Sequence, residues 1–161
     1  LSLHDALPIL HGLSGQAFLE RLGRDFDLTA AAAPVKPART GEFGCYREGR
    51  WYRLNVKAGR AEAADPVARL DVSVLADRVI APVLGITDPR RDQRIDFIGG
   101  IRGLKALQQR VDAGKAAVAF SLFPTPMEAL MAVADAGEVM PPKSTWFEPK
   151  LADGMVSHAL R

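Results

Sequence analysis

The stretch RIDFIGGIRGLKALQQRVDAGKAAVAFSLFPTPMEALMAVADAG, residues 94–137, switches repeatedly between two hydrophobic spacings. RIDFI (94–98) is short, with β-branched and aromatic residues, and reads as a strand. RGLKALQQRVDAG then sets Leu104, Leu107 and Val111 on one face of a helix over 102–113. AAVAFSLF (116–123) is a continuous apolar run, the mark of a buried strand. TPMEALMAVADAG opens with Thr125 and Glu128 at capping-box spacing and has Pro126 at the first helical position. It stops at Gly137. A strand–helix–strand unit of this kind predicts two adjacent parallel strands joined by a right-handed crossover.

Outward from that unit the class is mixed α and β, an α+β fold with an antiparallel hairpin beside the βαβα unit. GEFGCYREGRWYRLNVKAG (41–59) is the hairpin: two aromatic-rich runs flank Glu48-Gly49, where glycine accepts the positive φ of a tight turn. LSGQAFLERLGRDFDL places Ser14 as N-cap of a helix over about 15–24, with Phe18, Leu19, Leu22 and Phe26 at helical spacing and a short strand after it. Residues 31–40, with two prolines, read as a loop. Asp71 is expected to cap a helix carrying Val72, Leu75, Val79 and Val83, stopped by Pro82 and Gly85. Residues 87–92 are a polar turn. STWFEPKL and MVSHAL read as two further strands around Asp153-Gly154, and no internal repeat is present.

The nine residues LSLHDALPI spell one reading frame of a common sequencing-adapter oligonucleotide, so Leu1 to Ile9 are set aside as an artefact. They are expected to pack against nothing specific, and His4 and Asp5 carry no functional reading. Residues 10–161 are treated as one region of a longer protein, with more chain expected upstream. The 161 residues are 48% hydrophobic and 25% charged, with 21 basic and 19 acidic residues giving a net charge of +2. Charges are dispersed rather than striped, which argues against nucleic acid as a partner. No apolar run reaches the roughly 20 residues of a membrane span. The single cysteine, Cys45, can form no internal disulfide, which points to a reducing cytoplasm.

Counting from Gly137, residues 137–144 have the spacing G-x-x-x-x-P-K-S, one residue away from a phosphate-binding P-loop. The context rejects that motif. The segment leaves a helix and leads toward a strand, and Pro141 and Pro142 have no N–H to offer. A smaller device survives: the prolines stiffen a turn carrying Lys143, Ser144 and Thr145, one ammonium and two hydroxyls that suit a phosphate or carboxylate. The alternative is a lysine solvated or paired with Glu138 or Glu148. FIGGIRGLK (97–105) is a second candidate, with Gly99, Gly100 and Arg102 between a strand and a helix N-terminus, where free N–H groups meet an anion. Ile98 stands where the dinucleotide fingerprint needs glycine, so simple chain reversal remains the competing reading. His11 and His158 have no ligand neighbours at metal spacing, so no metal site is expected. Cys45 reads as a buried thiol, and Ser121 lacks a nucleophile elbow.

RLDVSVLADRVIAPVLGI (69–86), RIDFIGGIRGL (94–104), AVAFSLFPT (117–125) and above all AGEVMPPKSTWFEPKLADGMVSH (136–158) resemble the C-terminal part of a bacterial family, domain of unknown function 1015. Pro141, Pro142, Lys143, Ser144 and Thr145 match that family's motif. Members carry upstream an Asp-Gly-His-His-Arg segment similar to the core of ParB/sulfiredoxin-like proteins, a group that includes free-serine kinases. The resemblance therefore implies an ATP-dependent small-molecule kinase whose catalytic residues lie in an N-terminal half absent from this chain. The alternative is a non-catalytic domain that binds a small anion.

Overall fold

The computed structural model describes residues 2–3, 12–57, 65–141 and 144. In chain order its elements are β1 (Ser2–Leu3), α1 (Gly15–Asp25), β2 (Phe26–Ala31), β3 (Glu42–Arg47), β4 (Arg50–Val56) and α2 (Asp71–Leu75). A π-helical turn (Ala76–Ile80), β5 (Ile95–Asp96), a 3-10 turn (Gly100–Arg102), α3 (Gly103–Asp112), β6 (Val118–Leu122) and α4 (Met127–Asp135) follow. The strands form one sheet in the order β2-β4-β3-β6-β1-β5, and every pairing in it is antiparallel. The α+β class holds.

The expected parallel pair does not form. β5 and β6 are both antiparallel to β1, so they run in the same direction, but β1 lies between them. Ser2 faces Asp96 on one side and Ala119 on the other. The crossover through α3 thus spans a gap one strand wide. That gap is filled by residues set aside from the sequence as an artefact. Pairing uses backbone N–H and C=O groups that every residue carries, so even a foreign dipeptide can complete a ladder.

The hairpin forms as expected. Arg47 pairs with Arg50, and Glu48 and Gly49 have φ of 46° and 75°, as a two-residue type I′ turn requires. α1 begins where Ser14, in extended conformation, accepts a 3.3 Å hydrogen bond from the Ala17 N–H. α4 ends in a Schellman motif: Gly137, at φ 70°, donates to the Ala134 carbonyl and Glu138 to that of Val133.

Two caps differ from expectation. Leu70, not Asp71, sits at the N-cap of α2, and the partly buried Asp71 instead accepts the Gly41 N–H at 2.8 Å. The Thr125–Glu128 capping box is absent, because the Thr125 hydroxyl donates to the Ser144 carbonyl instead. The single helix expected after Asp71 is also interrupted. Pro82 has no N–H to continue an i→i−4 ladder, and around it the bonds widen, Ala81 donating to Ala76 and Leu84 to Val79. The two strands expected beyond residue 145 lie outside the described residues.

β3 is buried along its whole length because both faces of the sheet centre are covered. On one face Phe43, Cys45, Leu54, Val118 and Phe120 meet Phe18 and Leu22 of α1 and Leu75, Val79 and Ile80 around the π turn. On the other, Tyr46, Trp51 and Ala119 meet Leu107 of α3 and Val35. Each fully buried Phe or Leu contributes about 1.5–3 kcal/mol relative to exposure. The loop at 31–40 is therefore structural cover.

Candidate anion-binding site

The shared direction of β5 and β6 places the two sequence candidates. Asp96 and Ala119 are level across β1, about 10 Å apart at two strand spacings. Each strand then runs on toward the same end of the sheet, β5 into Gly99 and the 3-10 turn, β6 into Thr125 and α4.

At the β5 exit, Gly99 is extended and Gly103 takes φ 69°. A Cβ added at Gly100 or Gly103 would meet nothing within 4 Å, so this backbone is open to approach. No side chain caps the start of α3, and its first turn holds no acidic residue. Arg102 and Lys105 are exposed beside it. The positive end of the α3 dipole is thus reinforced rather than compensated. The neighbouring α4 has Glu128 in its own first turn.

At the β6 exit, the Thr125 hydroxyl donates to the Ser144 carbonyl at 3.0 Å, tying the proline turn to the start of α4. The Ser144 hydroxyl donates to the Pro141 carbonyl at 2.5 Å. Its proton is therefore spent inside the turn, and Ser144 shapes the turn rather than offering a hydroxyl donor. Lys143 and Thr145, its neighbours in the chain, lie outside the described residues, as does Glu148. The geometry therefore brings Gly99, Gly100 and Arg102 to the sheet end where Thr125 anchors Ser144.

Elsewhere, burial pushes the Cys45 thiol up to about 12, with Arg47 opposing, so the cysteine is inert at neutral pH. An open groove of about 510 Å³ runs between α1 and β2, lined by Glu20, Asp27 and Lys57 among others. It includes none of the sequence candidates, and its lysine is already bonded to the Gly23 carbonyl. Among the described residues no group of three His, Cys, Asp or Glu side chains could hold a metal ion, and no helix is long and apolar enough to cross a membrane. Sequence reading missed Arg47. The signal was there: Phe43, Cys45 and Arg47 alternate along β3, which turns the arginine to the buried face.

A family model described as "Protein of unknown function (DUF1015)" matches residues 3–73. Over these residues, fewer than half of the 161, the chain is similar to the DUF1015 family. The match takes in α1, the β2–β4 sheet and the start of α2. Of the four stretches whose sequence resembles DUF1015, only residues 69–73 fall inside it, and the candidates at 99–102 and 143–145 lie beyond it. No curated protein and no solved structure matches the chain.

Proposed function

We propose that this chain binds a small phosphate-bearing anion at the end of the sheet reached by β5 and β6. One observation carries the reading. Two strands of common direction bring an uncapped helix N-terminus with Arg102 to the same end as Thr125, whose hydroxyl holds the carbonyl of Ser144, the residue after Lys143 in the chain. Arg102 and Gly103 spend their N–H groups on the carbonyls of Gly99 and Gly100. The N–H groups of Gly99 and Gly100 would take the phosphate oxygens, Arg102 and Lys143 would supply charge, and the prolines would keep the ordering cost low.

The kinase reading adds ATP as the source of that phosphate and a small hydroxyl compound as acceptor. It is supported by the DUF1015 resemblance and by the suitability of the same N–H groups for phosphoryl oxygens. The non-catalytic reading needs the same site with any small anion. A thermal-shift series with inorganic phosphate, ATP and phosphoserine tests both. Concentration-dependent stabilisation by at least one of them is expected, and none by any would defeat the proposal. Transfer of the terminal phosphate of ATP to a hydroxyl acceptor would favour the kinase, and binding without transfer the regulatory module.

A further inference from the structure

Arg47 is the most buried cation in the described sheet, its side chain 6% exposed, with its guanidinium 5.5 Å over the ring of Phe18. It lies against the first residue of α1. A Cβ on Gly15 would stand 3.0 Å from Nη2 and 3.3 Å from Nη1, so only glycine lets the two approach this closely. Nη2 donates to Glu48 at 2.7 Å, while the enclosed Nη1 has no hydrogen-bond partner. A buried guanidinium left partly unsatisfied is costly.

Its position makes the cost larger. A helix N-terminus already carries about half a positive charge, which favours anions and disfavours cations. α1 has no acidic residue in its first turn. Ser14 caps Ala17 with its hydroxyl and Phe18 with its carbonyl, which leaves the N–H groups of Gly15 and Gln16 without partners among the described residues. Ser14 and Gln16 are exposed, so this helix end opens to solvent. The nearby anion is Glu48, 73% exposed on a turn where its φ of 46° is the one positive value of a described non-glycine residue. An ion pair so exposed on one side holds weakly and exchanges readily.

We propose that the N-terminus of α1 and the guanidinium of Arg47 form a second oxyanion site, for a phosphate or carboxylate group of a small molecule, with Glu48 as the internal carboxylate that this group displaces. Gly15 and Gln16 donate their free N–H groups to the bound oxygens, and Arg47 supplies the charge. The site is separate from the β5–β6 end. Tyr46 pairs with Ala119, so Arg47 stands level with the start of β6, whereas Thr125 follows its other end.

The test is a titration of the full chain with sodium phosphate and, in a parallel arm, sodium acetate, read from the backbone amide NMR signals of Gly15 and Gln16. Signals at Gly100 and Arg102 report the other site, so the two readings fail independently. Glu48→Gln removes the competing carboxylate and Gly15→Ala crowds the guanidinium while keeping a good helix former, so both should fold. The expected result is saturable movement at Gly15 and Gln16 in Glu48→Gln, up to about fivefold weaker in the wild type because an exposed ion pair must be displaced, and weaker again in Gly15→Ala. Saturation with phosphate alone or with acetate alone identifies the preferred group. Unsaturable shifts in Glu48→Gln, or equal affinities in all three proteins, would overturn the proposal.

Discussion

The Ser121 hydroxyl donates a buried 2.8 Å hydrogen bond to the Val35 carbonyl, joining positions 86 residues apart. This bond lays the proline-containing loop over the outer face of β3 and β6, and Gly44 of β3 lies directly beneath it. A Cβ on Gly44 would sit 2.7 Å from the Val35 carbonyl oxygen and 3.0 Å from the Trp51 ring, and closer still to the Ser121 hydroxyl.

Gly44→Ala is therefore expected to lower unfolding free energy by about 2–3 kcal/mol, because backbone rather than a flexible side-chain tip must move. Urea denaturation measures this. A loss below about 0.5 kcal/mol, the range of an ordinary surface change, would show that the loop does not press on the sheet.

Asp71 gives the fold a pH signature. Burial raises its pKa from 3.8 to about 6, against the opposing hydrogen bond from Gly41. The folded chain thus holds this proton more tightly than the unfolded chain. Below pH 3.8 both states are protonated and the group is neutral to stability. As pH rises through that value to about 6 the folded state loses ground, and the penalty is complete above it. Asp71→Asn keeps an oxygen to accept from Gly41 and removes the titration. Across pH 4 to 7 the Tm of the wild type should fall relative to that of the variant. Parallel curves would place the Asp71 carboxyl in solvent.

Ser2 and Leu3 supply the ladder between β5 and β6. Removing residues 1–9 leaves two inner strand edges unpaired, and Tm should drop by several degrees, at about 2–4 °C per kcal/mol for a chain of this size. An unchanged Tm would mean that the nine residues contribute nothing, as their adapter-like sequence suggested.

Local rules were legible in the sequence, and long-range ones were not. The Ser14 cap, the Glu48-Gly49 turn, the Leu104–Leu107–Val111 face and the Gly137 stop each depend on residues within one or two turns of chain. Asp71 and Thr125 were misassigned as caps because their real partners, Gly41 and the Ser144 carbonyl, are 30 and 19 residues away. The π-helical turn hid behind Val72, Leu75, Val79 and Val83, whose spacing stays compatible with an α-helix while Pro82 shifts the hydrogen bonds. The place of β1 had no side-chain signature, since two residues pair through backbone alone. Of the candidate site, Gly99, Gly100 and Arg102 could be named from sequence. Their nearness to the Thr125–Ser144 tether needed the direction of β5 and β6.

The site at that sheet end is tested most directly by calorimetric titration of ATP and of inorganic phosphate into the wild type, Arg102→Ala and Lys143→Ala, with Tm recorded for each. The proposed site uses both side chains as charged hydrogen-bond donors, so each substitution should weaken binding by about 1.5–3 kcal/mol, roughly ten- to 150-fold, while Tm stays nearly constant. Unchanged affinity with a clear fall in Tm would make these residues structural and contradict the site.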